Sequence, residues 1–420
     1  MPSSRSGRTS CSGRSDPGPE INASWGQRRK NLRPAVVGLG VTLVSLALIS
    51  LPTFVSGLQQ PANVADPEFP STIASYSWFT ASLSRDRFDS ASLLYQNGMG
   101  VESGDFPQSV LLSADGSSYR RFDEAESLSI AEDQGDPASS VLSPDGTFAV
   151  VGSAGRTGEV HVVTLRDGRR LSIPVGGNRT ALPMSIGSDG RTVLLATSDG
   201  VVNRYAPEPS LGFASLDLQT GQLRDYPRVK SLQAAALSPD GSRIVATSER
   251  GTELVDAATG HVTDILTTDP MALDGDAWSP DGRSIALVDQ SALVIADATG
   301  PHPVTRNLPL AGVEYAWAIG WRDPSTVLVH GVTDAEANTS ELYWVDTTTG
   351  AQESVASYAP NFTGAALAGA DAARDLVPRW RVADLPADRG PPPFILGLLV
   401  AVCTGLIAKG TASRLMTRGL

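Results

Sequence analysis

Four histidines, His161, His261, His302 and His330, are the chain's only imidazoles. Imidazole titrates near neutrality, so it is the usual general base and a frequent metal ligand. None of the four stands in a His-Glu-x-x-His pattern, and no calcium-loop pattern occurs. They are scattered: a propeller axis would be needed to gather them, and isolated core or surface histidines are the plainer reading. The only cysteines are Cys11 and Cys403, one in a basic tail and one in an apolar run, so zinc spacing is absent. No Gly-x-Ser-x-Gly nucleophile elbow occurs. Trp317, Trp321 and Trp344 lie close in sequence and offer either core packing or an aromatic surface for carbohydrate or peptide.

The aspartates carry more information. Ser143-Pro144-Asp145-Gly146 returns as Ser238-Pro239-Asp240-Gly241 and Ser279-Pro280-Asp281-Gly282, with weaker copies at Gly187-Ser188-Asp189-Gly190 and Trp321-Arg322-Asp323-Pro324. A second mark follows eighteen residues after Ser238 and after Ser279, as Asp256-Ala257-Ala258-Thr259-Gly260 and Asp297-Ala298-Thr299-Gly300, with further copies at Asp217-Leu218-Gln219-Thr220-Gly221 and Asp346-Thr347-Thr348-Thr349-Gly350. Their chemistry is conformational. Pro presets φ, Asp accepts from its own backbone, and Gly takes positive φ. The acidic run Asp123-Glu124-Ala125-Glu126, with Glu132-Asp133, reads as a solvated loop.

Between the turns lie short runs rich in Val, Ile, Leu and Ala, such as 147–151, 243–247 and 284–288, each followed by a second run. Strand, turn, strand, loop, strand, turn, strand recurs roughly every 40–50 residues, the period of a four-stranded propeller blade. The double mark resembles the WD-repeat-like blades of TolB-type bacterial propellers over about 138–356, and more loosely over 72–390. The resemblance implies the fold; it supplies no common catalytic residue. The fold class expected is all-β, a six- or seven-bladed β-propeller of four-stranded blades, flanked by one transmembrane helix at each end. Residues 359–388 read as a partial unit completed from the N-terminal side.

The flanking helices come from the ends. Residues 1–34 read as a disordered basic tail. Residues 35–56 hold no charge and are long enough to span a bilayer, with Arg28, Arg29, Lys30 and Arg33 before them. A cleaved signal peptide is the alternative. Residues 57–71 form a Pro-interrupted linker, 72–388 the propeller, 391–409 a second span, and 410–420 a short basic tail. For the second span, a helix buried in the domain is the alternative.

The chain's formal charge is -12, which disfavours nucleic acid as a partner. The two tails, together with Lys409 at the end of the second span, hold 10 of 33 basic and 2 of 45 acidic residues, so the middle carries 23 and 43, a net of -20. The expected topology places both termini in the cytoplasm and the domain outside the plasma membrane. The expected role is a membrane-anchored platform of the cell envelope for protein interaction or ligand sensing. Its partner would be another envelope or membrane protein, with no catalysis, no cofactor and no metal. The alternatives are an exported enzyme using the central funnel, lactonase- or quinoprotein-like, and a purely structural envelope protein. Recognition is expected from the loops 103–108, 206–212 and 333–339.

Overall fold

The computed structural model describes residues 67–100, 106–203, 211–300 and 303–391. They form six antiparallel sheets. Blade 2 runs outward as Ser139–Leu142, Phe148–Gly152, Glu159–Thr164 and Arg170–Pro174. Blade 3 is Thr180–Ile186, Thr192–Ser198, Gly212–Asp217 and Leu223–Asp225; blade 4 is Leu232–Leu237, Arg243–Ser248, Gly251–Asp256 and Val262–Thr267. Blade 6 is Tyr315–Asp323, Thr326–Asp334, Thr339–Asp346 and Gln352–Tyr358. Blade 5 keeps three full strands, Ser284–Asp289, Ala292–Asp297 and Val304–Pro309. Its inner position is held only by the bridges Ala272 to Val288 and Trp278 to Ile285.

Blade 1 closes the ring. Ala91–Asn97, Gln108–Ser113 and Tyr119–Arg121 take their inner strand from the far end of the chain, Leu367–Ala372. This pairing settles the count at six. Residues 359–388 supply that strand, and Glu68–Pro70 then runs parallel to Arg381–Ala383 instead of entering a blade.

A four-stranded sheet has two apolar faces, and each needs a neighbour. Six buried clusters satisfy this, one between each successive pair of blades, including the pair formed by blades 6 and 1. In the closing interface Leu93, Tyr95 and Leu112 of blade 1 pack with Ile319, Leu328 and Leu342 of blade 6.

The repeated turns behave as their residue types require. Ser238 Oγ donates to Asp240 Oδ1 at 2.6 Å, and the Arg243 amide donates to Ser238 Oγ at 2.9 Å. Gly241 takes φ +70°. In the second mark, the Thr259 amide donates to Asp256 Oδ1 at 2.7 Å. Alternating strand direction puts both kinds of turn on one rim of the ring. The loops joining second to third strands, and one blade to the next, emerge on the other.

The expectation of flanking transmembrane helices is corrected. Among the described residues no helix is long and apolar enough to cross a membrane. The one α-helix there, Asp123–Ser127, has five residues. The spans read at 35–56 and 391–409 fall, residue 391 aside, outside the described residues. The membrane-anchored fold class therefore lacks support, as does the plasma-membrane location with outside domain and cytoplasmic termini. What stands is the all-β propeller, because six sheets close into a ring and a buried cluster fills each interface between them. Asp123–Ser127 and the turn Ala131–Asp133 also replace the solvated loop expected there, with Asp133 wholly buried.

Candidate binding site on the propeller axis

Sequence order puts the inner strands around the axis, and two cavities open along it. One, about 350 Å³, lies on the loop rim against the inner strands of blades 1 to 5. The other, about 480 Å³, lies on the turn rim and is lined by Ser188, Pro239, Pro280 and Arg374 of the inner turns. Gly275 borders both. A Cβ on Gly275 would stand 2.9 Å from the Met184 carbonyl oxygen and from Ser185 Cβ, so glycine lets blade 5 approach blade 3 there.

Asp274-Gly275-Asp276 is why the inner strand of blade 5 is irregular: the segment turns at Gly275 and Asp276 instead of pairing. Asp274 faces the loop-rim cavity with Asp371 of blade 1. Asp276 faces the turn-rim cavity with Arg374. Arg374 occupies the blade 1 counterpart of the Ser-Pro-Asp-Gly turn, where the Leu376 amide donates back to the Ala373 carbonyl at 2.8 Å. Its guanidinium pairs with Asp276 and donates to the Ile186 carbonyl at 2.6 Å and Ser188 Oγ at 3.1 Å. Three blades are thereby tied across the axis.

Asp274 and Asp371 have no such partner. Each accepts one backbone N–H, from Gly275 at 2.6 Å and from Leu142 at 2.6 Å respectively. Burial pushes the Asp274 carboxyl up to about 7, and the charge of Asp276 adds to this. Burial also holds Asp371 well above the carboxylate range, reinforced by Asp276 and Asp274. Asp276 is raised by burial and moderated by Arg374. Protons are thus retained at the axis near neutral pH.

The axis does not gather the histidines. His161 is buried against Glu124 at 2.9 Å and Glu159 at 3.1 Å. His330 is buried in blade 6 on Trp317, ring centroids 5.3 Å apart, and burial lowers it to about 4. His261 is exposed in a turn, and His302 lies outside the described residues. Among the described residues no group of His, Cys, Asp or Glu is placed to hold a metal ion. Trp321 and Trp344 are core residues, and Trp317 is partly buried against the same packing.

A second surface lies on the loop rim where the ring closes. Trp78, Phe79, Met99, Phe106 and Phe362 are all about half exposed or more, Phe362 to 88%. Trp78 meets Phe362 edge-on with centroids 6.4 Å apart. Beside them a shallow cavity of about 140 Å³ is bordered by Tyr76, Met99, Phe106 and Asn338. Of the loops expected to recognise a partner, 333–339 and 106–108 border or adjoin this surface, whereas 103–105 and 206–210 lie outside the described residues.

Sequence reasoning did not single out the axial carboxyls or the exposed aromatics. One signal for the former was available. Aligned on the turn mark, Asp274 and Asp276 stand where the preceding unit has Gln233 and Ala235, so charge replaces neutral residues in an inner strand.

No protein-family model matches the chain, and no curated protein matches it. Among solved structures, it is similar to TolB from Acinetobacter baumannii, at 18% identity over 65% of this chain and 68% of that one, TM-score 0.44. It is also similar to a structure described as TolB from Agrobacterium tumefaciens, at 17% identity over 54% and 86%, TM-score 0.41. A chain of a nidogen–laminin complex matches at 12% identity over 68% and 98%, TM-score 0.45. At these identities and scores the likenesses carry no argument, and the six-bladed architecture rests on the strand pairing itself.

Proposed function

We propose that the propeller is a protein-interaction platform, that its loop rim is the binding face, and that it binds without catalysis. The observation that carries this reading is the aromatic surface at the ring closure. Large apolar side chains exposed side by side are uncommon unless something covers them. Trp and Phe are also the residue types enriched in the buried centre of protein interfaces. The turn rim differs in character: its repeated Ser, Asp, Thr and Gly are spent on hydrogen bonds within their own turns.

Charge supports a complementary partner. The region between the basic tails has a net charge of -20, which favours a basic partner face and weaker association at high salt. The test is substitution on the rim. Phe106→Asp with Phe362→Asp is expected to leave the unfolding midpoint within a degree or two, since neither side chain is buried, and to abolish association with the partner. Association undiminished by the double substitution contradicts the reading.

A further inference from the structure

We propose that the cavity at the ring closure is an anchor pocket for one aromatic side chain of a protein partner, and that basic residues flanking that side chain in the partner face the carboxylates of the 334–338 hairpin tip. The inference rests on the reading of the loop rim as a protein-binding face, and it states what a partner must present there.

The cavity is about 140 Å³, and Tyr76, Asn97, Met99, Phe106, Asn338 and Ala365 are among the residues that line it. A cavity of roughly 150 Å³ takes one benzene ring, so this one has room for a single ring. Its walls are already fixed. The Tyr358 hydroxyl joins Asn97 Oδ1 at 3.0 Å and the Ala365 carbonyl at 2.5 Å. Asn338 Nδ2 donates to the Gly364 carbonyl at 2.9 Å, and the Gly98 amide to the Ala366 carbonyl at 2.8 Å. A preformed pocket loses little entropy on binding. Met99, more than half exposed, supplies an adaptable wall. Trp78, Phe79 and Phe362 carry the exposed apolar surface past the cavity. One free ring would leave them uncovered, whereas a ring borne by a larger partner brings surface to cover them.

Charge selects the flanks. No Lys, Arg, His, Asp or Glu lines the cavity itself. The hairpin tip that supplies Asn338 carries Asp334 and Glu336, both exposed, and no basic residue. Asp334 Oδ1 accepts the Ala337 amide at 2.8 Å, which holds the tip in shape. Arg389, which packs beside the 75–80 segment, donates to Thr80 Oγ1 at 3.2 Å and to the Ser75 carbonyl at 2.8 Å. Lys or Arg beside the anchor is therefore complementary to this edge of the pocket, and acidic flanks are repelled. The same carboxylates repel an anionic lipid surface, which favours a protein as the occupant.

The test is calorimetric titration of the purified full-length chain, at low salt, with three capped heptapeptides: Gly-Lys-Gly-Phe-Gly-Lys-Gly, the same with Ala for Phe, and the same with Glu for both Lys. The first is expected to bind saturably and about tenfold tighter than either of the others, with its advantage over the Glu peptide shrinking at high salt. Ala365→Leu, which fills part of the cavity, should remove the preference for Phe over Ala. Asp334→Asn with Glu336→Gln should cut the preference for Lys over Glu by about threefold or more. That double variant changes only exposed side chains, so it decides the charge requirement even if Ala365→Leu disturbs packing. Equal binding of the Phe and Ala peptides, a preference for the Glu peptide, or preferences unchanged in these variants overturns the proposal. Binding to phosphatidylglycerol vesicles, or self-association, that is abolished by Phe106→Asp with Phe362→Asp identifies another occupant and overturns it too. If that pair of substitutions abolishes association with the partner while the peptides show no preference for Phe, the pocket assignment fails and the platform reading stands.

Discussion

Arg374 and Asp276 form an ion pair across the propeller axis, with the carboxylate side chain only 6% exposed. The arginine belongs to the segment that follows the ring-closing strand, and the aspartate to the irregular inner edge of blade 5. The pair therefore fastens the last part of the chain to the interior of the ring.

Removing one partner strands the other. Arg374→Ala should destabilise the domain by about 3–5 kcal/mol, because Asp276 would be left buried and unpaired. Replacing both, as Arg374→Met with Asp276→Leu, should recover most of that loss. Denaturant unfolding of the three proteins checks this, and a double variant no better than the single one contradicts it.

The axial carboxyls give stability a pH signature. Asp274 is raised by burial to about 7, so its folded value exceeds its unfolded one. Its favourable state is complete below the unfolded value, near 4, and is lost as pH rises through about 7. Such a displacement corresponds to roughly 4 kcal/mol, reduced to about 2 kcal/mol by the cavity's access to water. Asp274→Asn should therefore raise the melting midpoint more at pH 8 than at pH 5. An equal effect at both values contradicts the account.

His330 has the opposite sign. It is buried without a hydrogen-bond partner, and burial lowers it to about 4. Its contribution is present above the unfolded value near 6.5 and is lost as pH falls toward 4, on the order of 3 kcal/mol. His330→Phe keeps the stack on Trp317 and should flatten the acid limb of the stability curve. Melting midpoints between pH 4 and 7 give the comparison; parallel curves for the two proteins would sink it.

Two glycines with the same conformation should respond differently to Ala. Gly241 has φ +70° and open space where a Cβ would go, so Gly241→Ala should cost about 1–2 kcal/mol, the left-handed penalty alone. Gly146 has φ +71°, but a Cβ there would stand 2.0 Å from the Ala91 carbonyl oxygen, and the Ala91 amide donates to the Gly146 carbonyl. Gly146→Ala should cost roughly 3–4 kcal/mol, since the first blade must shift. Equal losses in denaturant unfolding would show that the turn does not brace blade 1.

The framework was legible because its turns repeat. Ser-Pro-Asp-Gly and Asp-x-x-Thr-Gly state their own backbone geometry, and the apolar runs between them state the strands. Ring closure was not legible. Leu367–Ala372 reads Leu-Ala-Gly-Ala-Asp-Ala, with no β-branched residue, and its partner Ala91–Asn97 lies almost a full ring away in sequence. The axial site was hidden for the same reason: Asp274 and Asp371 belong to different blades, and only closure brings them to one cavity. Composition was no guide to the tryptophans either. Trp321, on a blade 6 strand packed against blade 5, is 3% exposed, whereas Trp78, in a turn outside the blades, is 51% exposed.

The central claim is that the loop rim, and not the turn rim, is the binding face. A photo-crosslinking amino acid placed at Phe106, at Phe362, or at Gln219 on the turn rim of the full-length chain, in the cells that produce it, tests this most directly. The account predicts one and the same discrete crosslinked species from positions 106 and 362 and none from position 219. A species captured from position 219, with nothing from the two loop-rim positions, would contradict it.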